Sequence, residues 1–359
     1  MKESDAILGP EKLQGMLGLK GAFGRMVTRW VMKILEIDKV NETRFKYAGE
    51  NAQDFARDIL KDVGVSYEIP QGQMERIPAS GGFITVSNHH FGSIDGLILC
   101  DAIGRLRPDY KLLTTFLLSL IPELSDGFLP VDNLSGKMDA RSVNSIRTAL
   151  RHIQDGGAIG FFPAGEVATY QKKGKRTALS AKPVVEDKPW APNIIKLIKK
   201  SALPVIPIYF DGTNSANFHF LGKIHRRLRT VRLIHEVFNK RGLVVKVRIG
   251  RPILPEEFEK MDVNSFGAYI RNRTYALEAQ TVSGTDFYKS LLVHFLQQHP
   301  TEPRAEEILR SLHDLQPDFL RVAPDDLLAG CQSLDDLDRL IGILSDGEYR
   351  VQNLLPPHA

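Results

Sequence analysis

The chain has 359 residues, 43% hydrophobic and 25% charged, with a formal net charge of +4. This is a globular composition, sized for one large domain or two modest ones. Two cysteines, Cys100 and Cys331, exclude a disulfide framework, and no apolar run approaches the roughly 18 residues needed to span a bilayer. The N-terminus, MKESDAILGP, has acidic residues where a secretory signal would be basic and then apolar. The expectation is a peripheral protein at the cytoplasmic face of the cell membrane. Its charge is uneven. Residues 1–300 hold 42 basic and 31 acidic side chains, and residues 301–359 hold 5 and 12. A basic body suits anionic partners: phospholipid, coenzyme A, acyl carrier protein or nucleic acid.

In chain order, Pro10–Lys39 carries apolar residues at helical spacing (Phe23, Met26, Val27, Trp30, Ile34) interspersed with Arg25, Arg29 and Lys33. Gly15, Gly18 and Gly21 weaken its start, so the firm helix begins near Ala22. A basic amphipathic helix with a tryptophan suits a bilayer interface, and packing on the core is the plain alternative. A second helix is expected at Ala52–Val63. Strand and helix signals then alternate: strands at Phe83–Ser87, Tyr110–Thr115, Phe128–Val131, Ala158–Phe162, Val205–Phe210 and Val244–Ile249, with helices at Gly96–Arg105, Ala140–Gln154 and Asn193–Ser201. Such alternation predicts an α/β fold with a largely parallel central sheet flanked by helices. Beyond Glu256 only helical patterns remain, at Phe266–Glu278, Asp286–Gln298, Ala305–Leu315 and Leu334–Leu344. The organisation reads as an N-terminal amphipathic helical, membrane-associating segment (1–70), a catalytic domain (71–255) and a helical C-terminal subdomain (256–359).

The chemistry concentrates in Ile84–Leu97, ITVSNHHFGSIDGL. A strand ends at Ser87, two histidines follow, and Gly92 turns the chain into a helix that carries Asp95 in its first turn. Histidine takes a proton near neutral pH, and a carboxylate on its other ring nitrogen fixes the tautomer. The electropositive helix start favours the charged form of Asp95. Either His89 or His90 is a candidate base. Cys100 lies in an apolar helix and is a poor nucleophile, so the base would activate an external hydroxyl or amine. Two further loops follow buried strands: FFPAGEV (Phe161–Val167), where Pro163 and Gly165 force a tight turn bearing Glu166, and PVIPIYFDGTNS (Pro204–Ser215).

These three blocks, in this order, resemble the glycerolipid acyltransferase superfamily, which includes the lysophosphatidic acid acyltransferases. They are closer still to the bacterial branch called putative hemolysins, some of which O-acylate amino-acid lipids. The likeness covers about Asp38–Pro255. It implies an O-acyltransferase moving a fatty acyl group from acyl carrier protein or coenzyme A to the hydroxyl of a lyso-lipid, with no bound cofactor and no metal. It also implies that His89 or His90 acts with Asp95, and that Asn88, Gly92, Phe162, Pro163, Ala164, Gly165, Glu166 and Pro207 line the substrate site. The backbone N–H groups near Gly92 and in the Pro163–Glu166 loop are candidate oxyanion donors. His90 has the superfamily's four-residue spacing to Asp95, whereas His89 completes the Asn-His pair and fits the hemolysin branch.

The chain departs from the general pattern where Val167 stands in place of an arginine and Glu166 in place of a threonine. A carboxylate there disfavours a phosphate acceptor and points to a lyso-amino-acid lipid, although Lys172, Lys173, Lys175 and Arg176 follow closely. The run Lys223–Arg241 is strongly basic. Arg226, Arg227, Arg229 and Arg232 are expected, with Trp30, to dock the membrane or the acyl carrier. No nucleic-acid module is recognised. The rival readings are a thioesterase or lysolipid hydrolase, and a non-catalytic membrane-binding protein.

Overall fold

In the computed structural model, the described residues are 20–34, 37–115, 121–131, 140–171, 184–224, 226–280, 284–303, 305–312, 324–328, 330–345 and 347–355, plus 10, 11 and 14. The chain begins with α1 (Gly21–Ile34), α2 (Ile37–Lys46) and α3 (Ala52–Val63), followed by the short strand β1 (Ser66–Glu68). The α3 helix starts where the Asn51 side chain accepts the Asp54 N–H at 2.9 Å and ends at Gly64, which takes a left-handed conformation. Its buried residues, Ala52, Phe55, Ala56, Leu60 and Val63, share one face.

The α/β layer then runs β2 (Phe83–Ser87), α4 (Ser93–Leu106), β3 (Lys111–Thr115), β4 (Phe128–Val131), α5 (Ala140–Gln154), β5 (Ala158–Phe161), β6 (Thr169–Gln171), β7 (Val184–Glu186), α6 (Pro192–Ser201), β8 (Val205–Asp211), α7 (Ala216–Ile224), α8 (Arg226–Phe238) and β9 (Val244–Ile249). Seven strands form one sheet in the order β1-β9-β8-β2-β5-β3-β4. The strands β8, β2, β5, β3 and β4 are mutually parallel; β9 is antiparallel to β8 and parallel to β1. The largely parallel α/β sheet expected from the sequence is therefore present, with an antiparallel pair at one edge. The hairpin of β6 and β7 stands apart from this sheet.

All five residues of β2 are buried, as a central parallel strand requires. Beneath it the Thr85 and Tyr110 hydroxyls meet at 2.6 Å across β5. A side chain at Gly160 would place its Cβ 2.1 Å from the Tyr110 hydroxyl, so this strand position admits only glycine.

The remaining elements are helical: α9 (Pro255–Phe258), α10 (Val263–Ala276), α11 (Gly284–Gln298), α12 (Ala305–Ser311), α13 (Pro324–Leu327), α14 (Leu334–Leu344) and α15 (Val351–Leu354). Their apolar faces close a core of their own, including Tyr288, Leu291, Phe295, Leu337 and Ile341. It joins the sheet where Tyr275 meets Tyr209 of β8 edge-on, ring centres 5.9 Å apart.

Most elements fall within two residues of their predicted bounds. The helix predicted at Gly96–Arg105 begins earlier, at Ser93, directly after the expected Gly92 turn. Of the helical segment expected at Pro10–Lys39, residues 12, 13, 15–19, 35 and 36 lie outside the described residues. In α1, Thr28 and Met32 are buried, while Phe23, Met26 and Trp30 are 60–71% exposed. Among the described residues no helix is long and apolar enough to cross a membrane.

Candidate active site

Strands β2, β5 and β8 are parallel neighbours, so their C-terminal ends bring the three sequence blocks to one edge, where open α/β sheets bind ligands. Asn88 is the first residue past β2. Its Nδ2 donates to the Phe210 carbonyl at 2.9 Å and its Oδ1 accepts the Phe210 N–H at 2.7 Å. The side chain continues the β2–β8 ladder by one rung and is wholly buried. Asn88, expected to line the substrate site, therefore ties the histidine loop to the sheet.

The two histidines part at this point. The His89 Nδ1 lies 3.0 Å from Asp95 Oδ2, with the ring 15% exposed and the carboxylate fully buried. The same oxygen accepts the N–H groups of Phe91 at 2.9 Å and Gly92 at 3.1 Å. Asp95 is the third residue of α4, so its carboxylate caps the helix that carries it. An acceptor at Nδ1 leaves Nε2 as the basic nitrogen. The His90 ring is buried instead, with Nδ1 2.7 Å from the Gly212 carbonyl, and Asn214 Nδ2 donates to its own carbonyl at 3.1 Å. His90 fastens the loop to the end of β8.

The FPAGEV loop packs over His89. Phe162 stacks on the imidazole with ring centres 4.1 Å apart and planes 27° apart. Ala168 N–H donates to the His89 carbonyl at 2.7 Å. The buried Pro163 passes its carbonyl to Ala191 N–H at 2.8 Å, and Ala164 packs at the margin of the core. Gly165 turns the loop in a left-handed conformation. Two expected oxyanion donors are already committed: Gly92 N–H to Asp95, and Gly165 N–H to the Phe162 carbonyl at 2.9 Å. Pro207, a further expected lining residue, is buried within β8 opposite Val86 and contributes to the sheet.

Glu166 lies between two cations. Its Oε1 is 2.5 Å from Lys188 Nζ, and its Oε2 is 2.5 Å from an Arg229 guanidinium nitrogen. Arg229, expected on an outer docking surface, is only 7% exposed and faces this loop. Arg232 is half-buried near Glu236, at 3.7 Å. The side chains of Arg226 and Arg227, and residues Lys172, Lys173, Lys175 and Arg176, lie outside what the structure describes. Cys100 is buried with its Sγ 3.4 Å from the Ala52 carbonyl, and burial pushes its thiol up to about 12, so it supplies no thiolate. Among the described residues no cluster of His, Cys, Asp and Glu could hold a metal ion.

One participant had no signal in the sequence. Asp187 lies 98 residues beyond His89, and its Oδ1 accepts the His89 backbone N–H at 3.1 Å. Its Oδ2 accepts the Trp190 indole N–H at 3.2 Å, and its own N–H donates to the Tyr275 hydroxyl at 3.1 Å. Burial pushes this carboxyl up to about 6, although the His89 and Trp190 donors oppose the rise. Only the fold brings Asp187 to the histidine loop; no spacing or motif connects them.

A buried carboxylate held against a partly exposed imidazole at the end of a parallel strand is an arrangement chemically able to serve as a general base. Residues 18–284 match the model of a family described as Acyltransferase. The chain belongs to that family and is an acyltransferase. It is 24% identical over 261 residues, 70% of this chain and 90% of the relative, to the lyso-glycine lipid O-acyltransferase of Bacteroides thetaiotaomicron. The lyso-glycine lipid O-acyltransferase of Phocaeicola vulgatus is 22% identical, over 70% of this chain and 88% of its own. Among solved structures, the 1-acyl-sn-glycerophosphate (LPA) acyltransferase PlsC from Thermotoga maritima aligns with 67% of this chain and 90% of its own, at 15% identity and a TM-score of 0.35.

Proposed function

We propose that this acyltransferase moves a fatty acyl group from an acyl thioester to the hydroxyl of a lyso-lipid, with His89 as general base and Asp95 as its orienting carboxylate. The observation that carries the reading is the 3.0 Å contact of His89 Nδ1 with Asp95 on a ring that still reaches solvent. His89 Nε2 takes the proton of the acceptor hydroxyl as its oxygen attacks the thioester carbonyl. The tetrahedral intermediate collapses with cleavage of the C–S bond. The imidazolium returns the proton to the departing sulfur, leaving an ester and a free thiol. Asp95 stays ionised and stabilises the imidazolium.

The acceptor is a lyso-amino-acid lipid in preference to a simple glycerol phosphate. Both curated relatives carry lyso-glycine lipid in their names, and Glu166 and Val167 stand in FPAGEV where the superfamily pattern has threonine and arginine. The donor is a thioester of acyl carrier protein or coenzyme A. The enzyme works at the cytoplasmic membrane face, where Phe23, Met26 and Trp30 of α1 enter the interface between the exposed Arg25, Arg29 and Lys33.

Purified protein given acyl-acyl carrier protein or acyl-coenzyme A, with and without lyso-glycine lipid, tests this. The expected result is acceptor-dependent release of thiol and an equal amount of doubly acylated lipid. Release of free fatty acid without an acceptor would instead make the protein a hydrolase.

A further inference from the structure

Beside the FPAGEV loop lies a cavity of about 160 Å³, lined by Glu166, Thr169, Tyr170, Lys188, His219 and Arg229. Its charges are arranged around one carboxylate. Among the described residues, Lys188 and Arg229 each hold one oxygen of Glu166, two cations against one anion. His219 lies under the Tyr170 ring, centres 4.7 Å apart, with its Nε2 2.9 Å from the Thr213 hydroxyl. Burial and then the Arg229 charge push His219 down to about 4, so it adds no charge near neutral pH. Among the pocket's described lining residues the charges thus sum to about +1.

We infer that this cavity is the headgroup site for the free carboxylate of an acceptor whose amino acid is joined through its nitrogen. The inference rests on the acyl-transfer reading above and names the chemistry that selects the acceptor. A carboxylate monoanion balances the charge of these described residues. A phosphate monoester, with about −1.5 to −2 charges at neutral pH, leaves an excess of negative charge beside the Glu166 carboxylate. Arginine and lysine carry several N–H donors each, so both can bridge a second carboxylate while holding the first. The Arg229 guanidinium is 9% exposed on the side chain and sits 5.8 Å from the centre of the Phe218 ring, a fixed donor in a sheltered site. The position also fits. Glu166 is two residues before Ala168, whose N–H holds the His89 carbonyl at 2.7 Å. Two residues span at most about 7 Å of chain, a distance that a headgroup carboxylate several bonds from the reacting hydroxyl can cross.

The general superfamily pattern places an arginine within its own loop. Here Val167 at that position is buried, and the guanidinium comes from α8, so the basic run folds inward at Arg229.

The test uses purified full-length protein and two soluble short-chain acceptors, a lyso-N-acylglycine and the matching glycinamide, which differ only in the carboxylate charge. Wild type should show a KM for the acid at least tenfold below that for the amide, at similar kcat. Lys188 is half exposed, so Lys188→Met is expected to keep the fold, which its denaturant midpoint checks. It should raise the KM of the acid about tenfold and collapse the preference towards unity. Equal KM values for acid and amide in wild type would overturn the carboxylate site while leaving acyl transfer intact. An unchanged preference in Lys188→Met would overturn it as well. Failure to acylate either acceptor with any thioester donor would overturn the functional reading and this inference together.

Discussion

The backbone N–H of His89 donates to the carboxylate of Asp187 at 3.1 Å, while the ring of the same histidine holds Asp95 at 3.0 Å. One imidazole loop is thus fixed by two buried carboxylates with different tasks. Asp95 sits at a helix start and accepts from two backbone N–H groups as well as from the ring. Asp187 sits among Trp190 and Tyr275, where burial dominates and lifts it from the ordinary 3.8 to about 6.

That rise has a direction in pH. A carboxyl whose folded value lies above its unfolded value favours folding when protonated. Its contribution is complete below about 3.8 and is lost as pH rises through about 6. The isosteric Asp187→Asn variant has no such titration. The stability of wild type relative to Asp187→Asn should therefore fall between pH 4 and pH 7, by on the order of 3 kcal/mol. Urea titrations of both proteins at pH 4.5, 5.5 and 7 measure this. A constant difference across the range would show that Asp187 does not titrate there.

Gly92 is held at φ +84°, and a Cβ on it would lie 2.9 Å from Leu233 Cδ2 and 3.3 Å from Val167 Cγ2. Both the conformation and the space exclude a side chain. Gly92→Ala should cost about 2–3 kcal/mol by denaturant titration. Because the Gly92 N–H is one of three donors on Asp95 Oδ2, kcat should fall more steeply than the folded fraction. A variant with wild-type stability and kcat would show that this turn does not set the Asp95 geometry.

The exposed face of α1 makes a separate prediction. Phe23 and Trp30 are 71% and 65% exposed, so their replacement leaves stability within about 0.5 kcal/mol. The double variant Phe23→Ala, Trp30→Ala should bind anionic phospholipid vesicles about tenfold more weakly in a sedimentation assay, and wild-type binding should weaken with salt. Equal vesicle binding by the two proteins would remove α1 from the membrane contact.

The sheet was legible because buried strands and amphipathic helices advertise themselves by period. Val244–Ile249, Phe128–Val131, Ala140–Gln154 and Ala52–Val63 each fall where the pattern puts them. Spacing alone could not choose between His89 and His90, since both lie within reach of Asp95. The choice depends on the Gly92 turn and on Gly212, which engages His90 at 2.7 Å. The basic run was legible as charge but not as direction. Arg229 turns inward to Glu166, a contact that only the packing of α8 creates. Asn88 shows the same limit. It reads as a site residue from its neighbours, yet its carboxamide is consumed by the backbone of Phe210.

The most direct test of the catalytic reading compares His89→Ala with His90→Ala for the rate of ester formation from an acyl thioester and lyso-glycine lipid, each rate divided by the folded fraction measured on the same sample. The expected result is a fall of 10²–10⁴-fold for His89→Ala, and for His90→Ala a loss of stability with a much smaller fall per folded molecule. A folded His89→Ala protein retaining near wild-type activity, or a His90→Ala protein that is stable but inactive, would contradict the assignment of His89 as the base.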